Sequence, residues 1–204
     1  MTNYICRVHS VVFRMPNTTN VSTRPWIEHG YLSFGSNGPK TLKVEQIAKA
    51  VHISKSSFYH HFADMEMFEQ ELMRWHVSQA HLLVGRVKAC QSFVPDFLEL
   101  MLEMKPFVYF NRQLLIHKDD PKYLQCFQQV NGVLQPEFLD IWADMLSLSD
   151  KRDSANTILS TVVQLFYQRV PTVDFDYAWI LAFVEEVKLF LAEVLRANNT
   201  TTKS

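Results

Sequence analysis

The stretch TLKVEQIAKAVHISKSSFYHHF, residues 41–62, decides how the rest of the chain is read. Val44, Ile47, Ala48 and Val51 recur at a helical spacing, which predicts a short helix with one face turned inward. Ser54 stands where an N-cap belongs, because a hydroxyl there can accept from the open amides of a first turn. Lys55, Ser56, Ser57, Tyr59, His60 and His61 follow as a run of donors, interrupted by Phe58 and closed by Phe62. Two short helices joined by a tight turn, the second small, polar and basic, make a helix-turn-helix. The first helix anchors, and the second enters the DNA major groove, where base edges are distinguishable. Lys55, Ser56 and Ser57, near the start of the second helix, are then best placed for base edges, with Ser54 beside them at the DNA-facing cap. Tyr59, His60 and His61 reach phosphates, with Thr41 and Lys43 doing so from the preceding helix.

Read outward to Phe68, the segment IAKAVHISKSSFYHHFADMEMF resembles the helix-turn-helix signature of the TetR family, I-A-x-x-A-G-V-S-x-G-T-L-Y-x-H-F-x-x-K-E-x-L. Ile47, Ala48, Ser54, Tyr59, His61, Phe62 and Glu66 match it, and Ile53, Ser57, Phe58 and Phe68 are close replacements. Three positions depart. His52 replaces the turn glycine and must take left-handed backbone, which His tolerates at a cost. Lys43 replaces the usual Ser or Thr, so Thr41 or a shifted start is expected to cap the first helix of the motif. Met65 replaces a Lys that relatives often aim at a phosphate. The resemblance implies an all-α protein, with an N-terminal three-helix helix-turn-helix domain followed by a helical-bundle domain for ligand binding and dimerisation. It also implies repression as the mode of action.

The charge distribution agrees with a reader at one end. The 204 residues carry a net charge of only −1, yet residues 1–62 hold seven Lys/Arg against two acids. The remainder holds thirteen against nineteen. A basic end on an acidic body suits phosphate contact at that end alone. Cys6, Cys90 and Cys126 are far apart and form no CxxC, which argues against a disulfide framework or a thiolate zinc site and for a reducing cytoplasm. No apolar run approaches the ~20 residues of a membrane helix, and the opening MTNYICRVHSVVFRM lacks the core and cleavage site of a signal peptide.

In chain order, residues 1–22 read as a disordered or arm-like extension, either a basic arm touching DNA or an inert segment. The DNA-binding domain spans 23–64. Its first helix opens near Pro25 and carries Trp26, Ile27, Tyr31 and Phe34 on one face, with Trp26 and Phe34 holding the reader. The run Gly35, Ser36, Asn37, Gly38, Pro39 is expected to end that helix. Asp64 caps a long helix to about Lys88, a rigid lever between reader and body. Residues 65–197 form the effector-binding and dimerisation domain, and 198–204 a disordered tail. Pro95, Pro106 and Pro121 open helices, and Pro136 is expected to break or kink the last of these into pieces near 121–134 and 136–146. No strand alternation appears.

The body is rich in aromatics and methionine, which suits a small lipophilic ligand. Candidate ligand contacts are Phe97, Met101, Phe107, Phe110, Asn111, His117, Phe127, Trp142 and Gln164, although an aromatic stripe at helical spacing is first of all core. The last two helices are strongly apolar. The second, 174–197, carries two apolar stripes side by side, too wide for a helix with one wet side, so that either one stripe meets a second chain or the helix is buried wholly within its own subunit. Ile158, Val162, Phe166, Trp179, Phe183, Val187, Phe190 and Val194 are the candidate dimerisation residues, two helices from each of two chains making a four-helix interface. A dimer needs a palindromic double-stranded DNA operator.

Enzyme signals are poor: no Glu-x-x-His pair, HExxH, GxSxG or phosphate-cradling glycine loop occurs. His60 and His61 point about 100° apart on a helix and do not share a metal. No cofactor or metal is expected. Two other classes fit an all-helical chain: a ligand-binding or scaffold protein whose reader has degenerated, and a helical-bundle enzyme. A salt-dependent DNA shift separates the first from a regulator, and a metal and cofactor analysis tests the second.

Overall fold

The structure is a computed structural model and describes residues 22–172 and 174–201, with side chains as far as Val194. The expected extension lies outside the described residues apart from Ser22. The tail expected from residue 198 overlaps the last helix, whose backbone runs to Thr201.

Among the described residues the architecture is entirely helical. Three helices lead: α1 (Arg24–Asn37), α2 (Val44–Val51) and α3 (Lys55–His61). The 25-residue α4 (Met65–Ala89) follows, then the short α5 (Leu98–Glu103) and α6 (Lys105–Ile116). The chain closes with α7 (Pro121–Met145), α8 (Arg152–Arg169) and α9 (Tyr177–Thr201). None of these helices is long and apolar enough to cross a membrane.

Local chemistry explains most boundaries. Asp64 caps α4, its Oδ1 accepting from the Met67 amide at 2.8 Å, and Asp120 caps α7 through the Lys122 amide at 3.1 Å. His52 takes the left-handed conformation that the missing glycine demanded, with φ 57° and ψ 37°.

Four local expectations are corrected. The α1 helix runs through Gly35 and Ser36, because Gly35 is buried where α1 crosses α6, and it stops only at Gly38, whose φ of 79° leaves helical space. Pro136 does not divide α7. The proline is exposed, where water can serve the carbonyl left without an amide, and the buried face of Val130, Leu134 and Phe138 holds the helix together. Neither short reader helix has a side-chain cap: the Ser54 hydroxyl pairs with that of Ser56 at 2.9 Å, and Thr41 donates to the Gly38 carbonyl at 2.8 Å. Phe34 is buried but holds α1 to the body, stacking on Phe110 at 4.3 Å and leaning on Tyr123.

The core is one continuous cluster from Trp26 to Val187. Helix α4 packs along α7, α1 packs on α6, and α8 lies against α6 and α7. From Tyr31 onward α1 touches the body, so the reader is joined to it by two helices, α1 and α4.

Candidate nucleic-acid interface and effector cavity

The reader is built around Phe58, which is wholly buried although its neighbours in the sequence are polar. It meets Trp26 edge-on at 5.3 Å and Phe68 at 5.3 Å, and Phe62 closes the cluster against Phe68 at 4.9 Å. Such aromatic pairs add roughly 1 kcal/mol each beyond the area they bury. With Phe58 pinned inward, helical geometry turns Lys55, Ser56, Tyr59 and His60 outward, and all four are exposed. Tyr59 meets Phe58 edge-on at 5.4 Å and is still 57% accessible. Lys43 and Ser54 are exposed beside them, while Thr41, Ser57 and His61 are half-buried at the margin.

One partner on this face escaped the sequence reading. Lys55 Nζ donates to Glu45 Oε1 at 2.8 Å, across the turn from α2. The hydrogen bond from Lys55 holds the Glu45 carboxyl below the usual range. Both groups are exposed, so the pair contributes little to stability, but it sets where the ammonium rests when no DNA is present. Nothing in the residue spacing marks the pair, because positions ten apart share no helical face.

A second feature lies in the body. Six helices, α4 to α9, and the turn over residues 93–97 enclose a cavity of about 90 Å³. Five of the nine expected ligand residues line it: Phe97, Met101, Phe107, Asn111 and Trp142. The other four do not. Phe110 is buried between α1 and α6, stacked on Tyr31 at 4.4 Å. His117 ends α6 near Gly38, while Phe127 and Gln164 border a separate open groove. The sequence reading missed Tyr167 and the inward faces of α8 and α9, including Leu159, Phe183 and Val184.

Tyr167 belongs to a buried polar chain. Asn111 Nδ2 donates to the Tyr167 hydroxyl at 3.1 Å, Asn111 Oδ1 lies 3.1 Å from His76 Nε2, and His76 Nδ1 lies 2.7 Å from the Tyr31 hydroxyl. The wholly buried imidazole is pushed down to about 3 and stays neutral, because burial penalises its charged form more than Asn111 stabilises it. Burial likewise pushes the Tyr167 phenol up to about 12.

The expected dimerisation residues divide by burial. Phe166, Phe183 and Val187 are buried within the subunit, and with Val162 they line the cavity. Ile158 and Trp179 are half-buried, with Trp179 stacked on Phe183 at 5.9 Å. Phe190 and Val194 are exposed, and Leu189 and Leu165 join them on the outer surface. Phe190 is 64% accessible and Leu189 67%. A shallow apolar groove runs from Ile158 to Phe190 and Leu191, and Arg169 and Glu186 close one end through paired contacts of 2.8 Å.

Residues 27–70 match the family described as bacterial regulatory proteins, tetR family. That span takes in most of α1, all of α2 and α3, and the first turns of α4, with Phe58, Phe62 and Phe68 inside it and Trp26 one residue before it. No curated protein and no solved structure matches the chain.

Proposed function

We propose that this protein, a tetR-family DNA-binding transcriptional regulator by virtue of residues 27–70, is a cytoplasmic, ligand-responsive repressor that binds a palindromic operator as a homodimer. The observation that carries the reading is the outward face of α3, where Lys55, Ser56, Tyr59 and His60 stand exposed over the wholly buried Phe58. A helix of this kind fits a major groove, and its N-terminal residues lie closest to the base edges. In this reading residues 23–64 are the reader: Ser57 joins Lys55 and Ser56 toward the base edges, Thr41, Lys43, Tyr59, His60 and His61 reach phosphates, and Ser54 stands beside them at the start of α3. Lys55 leaves Glu45 for DNA, exchanging a weak exposed pair for a base edge or phosphate.

Residues 65–197 are the responsive body. The apolar surface of Leu165, Leu189, Phe190 and Val194 meets its copy in a second chain, with Ile158 at its edge. A ligand in the cavity then changes the spacing of the two readers, provided that it prefers one arrangement over the other. No cofactor is needed for this action.

Fluorescence anisotropy with the DNA flanking the protein's own gene tests the reading. Lys55→Ala combined with Tyr59→Ala is expected to abolish specific binding and leave the dimer intact. Retained operator affinity would refute the role of α3, and a footprint over a single unpaired half-site would refute the dimer.

A further inference from the structure

The cavity wall carries no charged side chain. A charged occupant would be desolvated there without a counter-charge, so the occupant is neutral. The wall is not featureless, however, and its polar groups can be followed one at a time. Trp142 Nε1, its one donor, is spent on the Ala155 carbonyl at 3.1 Å, and one of the two Asn131 Nδ2 hydrogens goes to the Phe127 carbonyl at 2.8 Å. Asn131 is half-buried, whereas Asn111 and Tyr167 are buried and are joined to each other.

Their protons are fixed by the chain that they belong to. Asn111 donates from Nδ2 to Tyr167, so its Oδ1 faces His76 and can only accept. His76 Nε2 must then carry the hydrogen. The neutral ring leaves Nδ1 bare, and it accepts from the Tyr31 hydroxyl. One donor of each member is thus directed to the next, from Tyr31 through His76 and Asn111 to Tyr167, with the second Asn111 Nδ2 hydrogen left over. The Tyr167 oxygen is already an acceptor, and among the described residues its own proton has no protein acceptor.

We propose that the cavity selects a neutral, mainly apolar molecule bearing one hydrogen-bond acceptor, which takes the Tyr167 hydroxyl proton, and that the Tyr167–Asn111–His76–Tyr31 chain reports its arrival to the reader. This rests on the ligand response proposed above and names its chemistry. A Tyr167 hydroxyl that donates to a ligand becomes a better acceptor from Asn111, and hydrogen bonds in a chain strengthen one another. The far end lies on α1. Tyr31 is stacked on Phe110 and lies five positions beyond Trp26, the residue against which Phe58 of the recognition helix is seated. A change in how firmly α1 is held is therefore a change in how α3 is presented. The open space is smaller than the roughly 150 Å³ that holds benzene. Met101 and Met104 in the wall supply the compliance for a benzene-sized guest.

Cyclopentanone and methylenecyclopentane test this, since they share a shape and differ in having a carbonyl oxygen or a methylene group. With the full-length protein and ligand-observed NMR titration, Tyr167→Phe is expected to lower cyclopentanone affinity about tenfold, the worth of one hydrogen bond, and to leave methylenecyclopentane within about twofold. An equal loss for both probes, or none for cyclopentanone, overturns the assignment. Infrared spectroscopy of cyclopentanone bound to the unmodified protein serves if the variant misfolds: a carbonyl stretch lowered from its value in hexane is expected, and an unshifted band overturns it. Tyr31→Phe is expected to keep cyclopentanone binding while removing its effect on operator affinity, and an undiminished effect refutes the relay. If neither probe binds the unmodified protein, the ligand response itself fails and this inference with it. If both bind without discrimination by Tyr167, only the inference fails.

Discussion

Lowering the pH from 7 to 5 should destabilise this protein through His76, and the size of the loss follows from its burial. The ring is wholly buried, flanked by Phe107 and Phe110 at 4.3 and 4.4 Å, and held below its ordinary value of 6.5, at about 3. Between these values the unfolded chain binds a proton that the folded chain excludes. His76 therefore favours the folded state fully above pH 6.5, and that support is lost progressively as the pH falls toward 3. Each pH unit inside the window costs about 1.4 kcal/mol, so the descent to pH 5 removes about 2 kcal/mol. That is a large part of the stability of a typical domain.

Urea unfolding followed by tryptophan fluorescence at pH 7, 6 and 5 measures the loss. His76→Gln keeps a donor and an acceptor but does not titrate, so it should be less stable at pH 7 and lose about 2 kcal/mol less between pH 7 and 5 than the parent. His29 and His117 are also held down by burial, and their contribution is common to both proteins and cancels. Parallel pH profiles for parent and variant would refute the assignment of a neutral, enclosed His76.

Three further outcomes follow from particular contacts. Gly30→Ala should cost about 1–3 kcal/mol in a denaturant titration, because its new Cβ would sit 2.4 Å from the Phe68 ring at the heart of the reader; an unchanged midpoint would mean that this packing is looser than it stands. His52→Gly should raise stability by up to about 1 kcal/mol, since the side chain occupies left-handed backbone at φ 57°, and a lower melting temperature would count against strain at the turn. Phe190→Glu should leave far-ultraviolet circular dichroism unchanged, because the ring is already exposed within the subunit. It should shift light scattering to the monomer and remove most specific DNA binding; a persisting dimer would place the interface elsewhere.

Much of the reader could be seen in the residues themselves. Its helices are short-range objects: the Val44–Val51 periodicity, the Asp64 cap and the demand on His52 each depend on neighbours a few positions away, and the structure answers all three as read. The all-helical class was legible for the same reason. Where the reading failed locally, packing from far along the chain prevailed. Gly35 stays helical because α6 presses on it, and Pro136 is tolerated because three buried residues hold α7. The sequence also placed Phe34 with the wrong partner, since a stripe on a helix tells that a residue is buried and not against what.

The tertiary structure alone decided what the apolar surfaces of the body enclose. Periodicity treats Phe107 and Phe110, or Phe183 and Phe190, as equals, yet one of each pair borders the cavity while the other seals α1 or faces outward. The assignment depends on the order in which α4 to α9 pack around one space. The same holds for the polar chain from Tyr31 to Tyr167, whose members sit on four helices and up to 136 positions apart. No local rule relates residues so distant; the packing of α1, α4, α6 and α8 brings them together, and burial favours the hydrogen bonds that join them.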